Sequence, residues 1–214
     1  MQYIKIIAVI CLFAVCGISS YSQMVPMDSN GIDSFTKRLE ESSRQIESIE
    51  SNFEQVKHLD IFNDDVVSKG LFYYSATDKI ALIYSAPVKY SMVINGDILK
   101  STSNGKVNTI ALGSNKMMKE LQSMITACMT GNITTLGEDY QASYSEDSSS
   151  YRVVLTPLNA AIRAYIAGFS IYFDKKDMSV ERLRIDEGTA DYTEYRFLDR
   201  KFNTVIDSKL FSVN

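Results

Sequence analysis

Side chains that could act as nucleophiles, acid–base catalysts or metal ligands are few in this chain of 214 residues. His58 is the only histidine, so any serine or cysteine catalysis that needs an imidazole base would depend on that one residue. A Gly-x-Ser-x-Gly nucleophile elbow is absent. Zinc and copper need several convergent histidine or cysteine ligands, and the sequence shows no such cluster. These residue types therefore favour binding over catalysis.

Acidic residues are the remaining candidates for chemistry. The three aspartates within residues 60–65 could hold calcium, but their spacing matches no calcium loop, and a surface turn explains them. Asp186, Glu187 and Tyr195 would be the polar residues of an enzyme that acts on an apolar substrate. Their positions are typical of a turn and a strand, so this interpretation ranks below a binding function.

Residues 1–22 have the features of a cleavable signal peptide. Lys5 supplies a positive charge, residues 6–18 form an apolar run, and Ser20-Tyr21-Ser22 offers small residues where a signal peptidase reads them. The apolar run is short for a transmembrane helix. We therefore predict cleavage at the end of this segment. Lipid attachment at Cys16 is the weaker alternative, because the preceding residues match a lipoprotein signal poorly.

Removal of the signal peptide would leave an acidic exported protein with one cysteine. It takes away one lysine and two cysteines, so the formal net charge falls from −4 to −5 and Cys128 remains. One cysteine cannot form an intramolecular disulfide, and an acidic chain is poorly suited to nucleic acid, which is bound through many lysine and arginine contacts. We expect residues 23–214 to form a single periplasmic domain that is stabilised by its core and binds no nucleic acid.

The segment from Gly70 to Gly96 predicts three short strands around which the rest of the chain is organised. The strands cover residues 70–74, 79–84 and 90–94. Bulky apolar side chains occur on both faces, instead of the alternation expected for a strand with one wet face. Both faces must therefore be covered, one by an ordinary core and the other by a lid or an apolar ligand. Asn95-Gly96, and later Asn104-Gly105, are typical of hairpin turns.

The other segments have the spacing of an antiparallel meander interrupted by helices. Helical periodicity predicts helices over residues 32–46, 117–129 and 158–166. Alternation and turn signals predict further strands over residues 48–59, 98–103, 106–112, 140–145, 151–156, 169–174, 180–186, 189–198 and 205–213. Asn30 or Asp33 is expected to cap the first helix, after a polar tether over residues 23–31. The predicted fold class is mainly β (α+β), with about eleven strands and three helices.

The second helix has the clearest apolar stripe in the chain. The stripe consists of Met117, Met118, Leu121, Met124, Ile125, Cys128 and Met129. On spacing alone it could face a core or form a lid that contacts a ligand, and the two roles are compatible. Methionine suits a lid because its flexible side chain adapts to irregular partners. Cys128 is expected to be a small buried hydrophobic residue rather than a reactive thiol.

Several short motifs follow one another in a characteristic order after the first helix. They are Ile49-Glu50-Ser51-Asn52-Phe53-Glu54-Gln55, Gly70-Leu71-Phe72-Tyr73, Lys79-Ile80-Ala81-Leu82-Ile83-Tyr84-Ser85-Ala86-Pro87, Ile94-Asn95-Gly96, Asp186 with Gly188, and Phe211 in the last predicted strand. Each motif is weak alone. Together they span nearly the whole mature chain, and their order resembles the LolA family of periplasmic lipoprotein carriers.

The resemblance implies an unclosed, strongly bent antiparallel β-barrel with three helices as a lid over an apolar cavity. It implies a monomer that binds acyl chains without a catalytic residue, metal or cofactor, and shuttles lipoproteins from the inner to the outer membrane. The implied partners are acylated lipoproteins, an inner-membrane lipoprotein-releasing transporter and an outer-membrane acceptor. The predicted cavity and lid residues are Ile49, Phe53, Phe72, Tyr74, Ile80, Leu82, Tyr84, Met92, Ile94, Met117, Leu121, Met124 and Ile125.

One departure from the family concerns the latch of the lid. Family members often have an arginine just after the second strand, and the matching position near Ala76 has none. The latch is therefore absent, displaced or replaced. Two other functions fit the same fold: a sensor or scaffold that docks a hydrophobic segment of a partner protein or another lipid, and the enzyme described above. The apolar strand residues could also fill a dry core.

Overall fold

The computed structural model describes residues 23–213, apart from residues 63, 77, 115, 131, 132, 134, 135, 137, 138 and 189. The description also leaves out the side chains of Lys116, Met117, Leu121, Met129 and Thr130. The predicted signal peptide over residues 1–22 lies outside the described residues.

Twelve strands and three α-helices are present in this part of the chain. The strands are β1 (Val25–Pro26), β2 (Ser48–His58), β3 (Val66–Ser75), β4 (Lys79–Ala86), β5 (Tyr90–Asn95), β6 (Ile98–Ser103), β7 (Lys106–Ala111), β8 (Tyr140–Glu146), β9 (Ser150–Pro157), β10 (Gly168–Asp174), β11 (Val180–Asp186) and β12 (Tyr192–Phe202). The helices are α1 (Ser29–Ser43), α2 (Lys116–Thr130) and α3 (Ala160–Arg163). Short 3-10 turns cover Leu112–Ser114 and Ser208–Phe211.

All twelve strands form one antiparallel sheet that is not closed into a barrel. Its order is β1-β8-β9-β10-β11-β12-β2-β3-β4-β5-β6-β7. Strands β2 to β7 and β8 to β12 are thus two consecutive meanders, joined where β12 pairs with β2. This pairing sets Phe197 opposite Phe53, so residues far apart in sequence share one surface. The predicted mainly β, unclosed antiparallel sheet is confirmed, with twelve strands instead of about eleven.

Both predicted hairpins form, but their turns differ: Asn104 and Gly105 are the turn residues of the second, whereas Asn95 pairs with Ile98 and leaves Gly96 and Asp97 as the turn of the first. Gly96 has a φ of 57°, and Asn104 and Gly105 have φ values of 50° and 77°. Asparagine and glycine adopt such positive angles at little cost, which matches the right-handed twist of the flanking strands. The two turns fix the register of β5 with β6 and of β6 with β7.

The N-terminal end of the described chain differs from the predicted polar tether. Val25–Pro26 pairs with β8 at the edge of the sheet, where the missing N–H of proline is tolerated. The cap of α1 is Asp28, whose Oδ1 accepts a hydrogen bond from the Gly31 amide at 2.8 Å. The prediction of Asn30 or Asp33 as the cap is therefore wrong, because Asp28 has extended backbone geometry and already satisfies a free amide.

Helix α1 packs on strands β8 to β10, on the face of the sheet that we call the concave face because α1 and α2 cover it. Phe35 is fully buried, and its ring centroid lies 4.8 Å from that of Tyr151, 5.5 Å from Phe173 and 6.2 Å from Tyr144. Arg38 donates to the Tyr151 hydroxyl at 2.8 Å. These tilted and edge-on aromatic contacts fix one half of the concave face.

Gly70 allows the neighbouring strands to pack closely in the other half. In register it lies between Phe53 on β2 and Tyr84 on β4. A Cβ atom at Gly70 would lie 2.2 Å from the carbonyl oxygen of Ile83 and 2.8 Å from the Phe53 ring. Because no side chain intervenes, the rings of Phe53 and Tyr84 meet over the glycine with centroids 4.9 Å apart.

The opposite, convex face has a smaller apolar cluster under the C-terminal residues. Ala81 and Val93 are buried there against Phe211. The Asn95 side chain donates to the carbonyl oxygen of Phe211 at 3.0 Å. The expectation that this part of the sheet is covered on both faces therefore holds, and the convex cover is a segment of the chain itself.

The predicted strand over residues 205–213 is wrong. Ser208–Phe211 forms a 3-10 turn, and Phe211 accordingly lies in a turn rather than in a last strand. Asp207 starts this turn by accepting a hydrogen bond from the Lys209 amide at 2.9 Å. The apolar residues of the segment that pack on the convex cluster are Ile206, Leu210, Phe211 and Val213, a spacing that suits a helical turn better than a strand.

Candidate functional site

The predicted cavity and lid residues come together on the concave face. Those buried in its core cluster are Ile49, Phe53, Phe72, Tyr74, Ile80, Leu82, Ile94 and Met124. Those partly buried against it are Tyr84, Met92 and Ile125. The side chains of Met117 and Leu121 lie outside the described residues. The grouping of these residues is a feature of the fold, whereas their contact with a ligand stays a prediction.

A small apolar cavity of about 30 Å³, which we call the central cavity, lies between the concave face and α2. Its lining residues are Phe72, Leu82, Ile125, Cys128, Val180, Leu183, Tyr195 and Phe197. They come from β3, β4, β11, β12 and α2. A space of this size can hold water but is far smaller than a typical ligand pocket. The sheet and α2 are therefore in close but incomplete contact.

Aromatic rings form the β12 side of the central cavity. The ring of Phe197 stacks on Tyr195 with centroids 6.5 Å apart and lies 4.9 Å from Phe72. The Tyr195 hydroxyl is 3.4 Å from the Tyr84 hydroxyl, although two strands separate β12 from β4. The sheet therefore bends around this face. Burial raises the pKa of both Tyr84 and Tyr195, so both hydroxyls stay protonated at neutral pH.

An open groove of about 540 Å³ lies beyond this tyrosine pair, at one end of strands β4 to β6. Its lining residues are Ile83, Tyr84, Ser85, Lys89, Tyr90, Ser91, Thr102, Asn104 and Gly105. Tyr84 thus lines the groove while its hydroxyl contacts Tyr195 in the wall of the central cavity. The tyrosine pair links the open groove to the central cavity.

Helix α2 covers the central cavity. Its buried or partly buried residues with described side chains include Met124, Ile125 and Cys128. The Gln122 side chain donates to the carbonyl oxygen of Gly96 at 2.8 Å, and the Tyr140 hydroxyl donates to Glu120 at 3.0 Å. These bonds join the helix to a hairpin turn and to β8. Helix α3, by contrast, is a single turn without a buried residue.

Cys128 is a free thiol in the wall of the central cavity. Burial raises the pKa of this thiol to about 12. The nucleophilic thiolate is therefore scarce at neutral pH. The buried, apolar environment of Cys128 agrees with the expectation of a small hydrophobic side chain rather than a reactive thiol.

A second cavity of about 10 Å³, which we call the polar recess, adjoins the central cavity. Phe72, Val180 and Phe197 line both spaces. The further lining residues of the recess are Ile49, Ser51, Ser179 and Arg200. The Oγ of Ser51 and the Nε of Arg200 are buried without a hydrogen-bond partner. The recess therefore places polar atoms at the end of an otherwise apolar space.

The residues considered for an enzyme are not gathered around the central cavity. Tyr195 lines it, but Asp186 pairs with Arg184 at 2.8 Å, and Glu187 binds Lys57 and accepts from Thr193. These carboxylates therefore serve local ion pairs and hydrogen bonds at the end of the sheet.

The described residues contain neither a metal-ligand cluster nor a membrane-spanning helix. This part of the chain has no group of three or more histidine, cysteine, aspartate or glutamate side chains arranged to hold a metal ion. His58 instead lies 2.7 Å from Asp65 and stacks on Tyr192. In the same part, no helix combines the length and the hydropathy that a membrane span requires.

Sequence reasoning missed the wall that β11 and β12 contribute. Val180, Leu183 and Phe197 were not among the predicted cavity residues, although Tyr195 and Phe197 are two apart and therefore share a face. That parity links Phe197 to Tyr195, but alternation does not link Val180 to Leu183, which are three residues apart on β11 next to an irregularity. Ser51 also shares the face of Ile49 and Phe53 on β2 by parity. Arg200 could not be found this way, because a bulge in β12 changes the alternation just before it.

The sequence matches one protein family over most of its length. The model of the outer membrane lipoprotein carrier protein LolA matches residues 44–214. A comparison with curated protein sequences found no match.

Two solved structures with TM-scores above 0.5 show a similar fold at low sequence identity, and a third has a lower TM-score. An uncharacterized conserved protein from Thermus thermophilus has 7% identity and a TM-score of 0.52, with 86% of this chain and 94% of that chain covered. A chain of the Pseudomonas aeruginosa MucA/MucB complex has 12% identity and a TM-score of 0.51, with 85% and 60% covered. A LolA superfamily protein from Nitrosomonas europaea has 9% identity and a TM-score of 0.44, with 84% and 96% covered. From the match over residues 44–214, the chain belongs to the LolA family of outer membrane lipoprotein carrier proteins.

Proposed function

We propose that this protein is a periplasmic carrier that binds the acyl chains of lipoproteins and moves them from the inner to the outer membrane. The observation that carries the proposal is the central cavity, an apolar space between the bent sheet and a helical cover. Membership of the LolA family supports the same function. In this role, an inner-membrane transporter would load the carrier and an outer-membrane acceptor would unload it.

Binding of an acyl chain requires the cover to move. Ligand pockets typically measure about 300–1,000 Å³, whereas the central cavity has a volume of about 30 Å³. Helix α2 must therefore separate from the concave face. Each methylene group removed from water contributes roughly 0.8 kcal/mol, so about ten buried methylene groups would supply roughly 8 kcal/mol. This gain offsets the apolar contacts that α2 loses on opening.

The described attachments of α2 suit a reversible cover. The bond of Gln122 to Gly96 is exposed, and the bond of Tyr140 on β8 to Glu120 is partly buried. Water can replace such bonds when the helix moves, so each one stabilises the closed state by only about 1 kcal/mol. The family arginine that latches the lid has no counterpart near Ala76. We therefore propose that these two bonds take over part of its role.

Two glutamate substitutions on opposite faces test the carrier function. Leu82 is 6% exposed and lines the central cavity, whereas Leu71 is 38% exposed and lies on the convex face. Leu82→Glu places a carboxylate where the acyl chain would lie, and Leu71→Glu is the matched control. The mature proteins are incubated with a diacylated lipopeptide and studied by native mass spectrometry. We expect binding by the wild type and by Leu71→Glu, and loss of binding by Leu82→Glu.

Circular dichroism and urea unfolding of each variant separate loss of binding from loss of folding. A folded wild-type protein that takes up no lipopeptide would contradict the carrier function. Equal binding by Leu82→Glu and the wild type would show that acyl chains bind elsewhere on the molecule. Lipids extracted from the protein after purification from a membrane-containing host provide an independent check.

A second candidate function is the docking of a hydrophobic segment of a partner protein. The observation on this chain is β7, an edge strand whose residues are exposed apart from the half-buried Ile110. An edge strand offers unpaired backbone groups to which another strand can add. One chain of similar fold was solved in a complex of two proteins, MucA and MucB. Co-purification of a stoichiometric protein partner, with no uptake of lipopeptide, would favour this function over the carrier.

A further inference from the structure

We propose that the polar recess binds the carbonyl oxygen of an ester- or amide-linked acyl chain, so that the protein distinguishes acyl chains from plain alkyl chains. The inference rests on the proposed function, because the hydrocarbon part of the same chain would lie in the central cavity. The two spaces share Phe72, Val180 and Phe197 in their walls. A carbonyl group in the recess can therefore continue directly into a hydrocarbon chain.

A bulge in β12 turns Arg200 toward the recess. The register of β12 against β2 shifts by one residue between Leu198 and Lys201, so that Asp199 and Arg200 together oppose Ser51. Asp199 has a φ of 53°, in the left-handed region that non-glycine residues seldom adopt. Without the bulge, the Arg200 side chain would lie on the convex face, together with that of the exposed Leu198. Bulges that re-aim a side chain in this way are frequent next to binding sites.

The recess presents two polar atoms that have no protein partner. Ser51 is 2% exposed and its Oγ has no hydrogen-bond partner. The Nε of Arg200 is likewise buried without a partner. The other arginine nitrogens are occupied, because Nη1 donates to the Phe197 carbonyl at 3.1 Å and Nη2 to Asp174 at 2.8 Å. A volume of about 10 Å³ admits one oxygen-sized atom. Both Nε–H and the Ser51 hydroxyl can donate to that atom.

The charges around Arg200 indicate that the acceptor is neutral. The guanidinium already pairs with Asp174 at 2.8 Å and with Asp177 at 3.5 Å. A ligand carboxylate in the recess would meet these two carboxylates without a free positive charge to balance it. The Ser179 hydroxyl also donates to Asp177, so it is not available to an anion. An ester or amide carbonyl accepts both hydrogen bonds and adds no charge.

The test compares two lipopeptides of equal chain length, one with ester-linked chains and one with ether-linked chains that lack the carbonyl oxygens. Dissociation constants are measured for the wild type, Ser51→Ala and Arg200→Lys. We expect the wild type to bind the ester form about tenfold more tightly. Ser51→Ala is expected to reduce this preference to about threefold and to leave the affinity for the ether form unchanged. Arg200→Lys keeps a positive charge beside Asp174 and removes Nε.

The control is Ser145→Ala, because Ser145 is also buried but lines neither cavity. It is expected to keep the full preference for the ester form. Equal affinity of the wild type for the two lipopeptides would overturn the inference and leave the carrier function intact, with solvent as the occupant of the recess. Binding of neither lipopeptide would overturn both. Should Arg200→Lys fail to fold, Ser51→Ala alone decides, and an unchanged tenfold preference in that variant counts against the inference.

Discussion

Around β4 and β5 both faces of the sheet are covered by apolar residues, but the two covers differ in how tightly they fit. On the convex face, Phe211 is 3% exposed and its carbonyl oxygen is tied to Asn95. On the concave face, α2 leaves the central cavity beneath Ile125 and Cys128. The convex cover is fixed through its own backbone, whereas the hydrogen bonds described for α2 involve its side chains.

This difference shows where a binding function can reside in a fold with two apolar faces. A well-packed cover is part of the core, and its displacement would unfold the region around it. A cover that leaves a cavity forgoes some packing energy and opens at lower cost. The convex cover is therefore structural, and the concave cover is the one suited to ligand exchange. The following changes test this division.

The largest effect is expected at Gly70, on which the rigidity of the sheet beneath both covers depends. Gly70→Ala would place Cβ 2.2 Å from the Ile83 carbonyl oxygen, so two strands must separate. We expect a loss of more than about 4 kcal/mol in the free energy of unfolding, or no folded protein. Gly113→Ala is the control, because a Cβ there meets nothing within 4 Å. Urea unfolding measures both, and equal stability of the two variants would contradict the packing described for β2 to β4.

Phe211→Ala tests the convex cover. Removal of a buried phenylalanine side chain is expected to lower the free energy of unfolding by about 3 kcal/mol. Lipopeptide affinity, measured under conditions where the variant is folded, should equal that of the wild type, because Phe211 lies on the other face from the central cavity. Parallel loss of affinity and stability would show that the two faces do not act independently.

The Cys128 thiol reports whether the wall of the central cavity is dry. Its pKa is about 12 in the folded protein, against 9.0 for an exposed thiol. Between pH 9 and pH 10 the unfolded thiol loses its proton while the folded thiol keeps it, so stability falls as pH rises. The expected loss of stability from this group is about 1 kcal/mol between pH 9 and pH 10, because the unfolded thiol is already half ionised at pH 9, and this loss should vanish in Cys128→Ala. Urea unfolding at pH 8, 9 and 10 measures it. Identical slopes of stability against pH in the wild type and in Cys128→Ala would indicate a solvated thiol.

The smallest effect is expected for Gln122→Ala, which removes the bond between α2 and the Gly96 carbonyl. Its loss should lower stability by about 1 kcal/mol or less, because water replaces it. Uptake of lipopeptide should nevertheless become faster, since the closed state loses part of its advantage. Stopped-flow fluorescence with a labelled lipopeptide measures the rate. Gln141→Ala, at an exposed position of β8, is the control and should leave the rate unchanged.

Local sequence signals predicted the parts of the fold that depend on short stretches. Asn95-Gly96 and Asn104-Gly105 predicted their hairpins because the positive φ angles of Gly96, Asn104 and Gly105 are a local property of those residues. On β3 and β4 bulky side chains occur on both faces, so the resemblance to the LolA family, and not alternation, selected Phe72 and Leu82, which the structure brings together on one face. The resemblance to the LolA family supplied the unclosed sheet, which no single segment encodes.

The parts that were missed depend on contacts between distant segments. Residues 205–213 look like a strand by composition, but the Asp207 cap and the convex cluster favour a 3-10 turn. The polar recess exists because β12 bulges where it pairs with Ser51, and nothing in either strand alone specifies that register. The β12 wall of the cavity likewise follows from pairing between the two ends of the chain.

The most direct test of the central claim is the rate at which Cys128 reacts with a thiol reagent in the native mature protein. Cys128 lies on the buried side of α2, facing the central cavity, and can react only after this cover moves or the protein unfolds. We expect labelling that is much faster than global unfolding of the ligand-free protein. Labelling that never exceeds the rate of global unfolding would contradict the account, because α2 would then be a fixed part of the core.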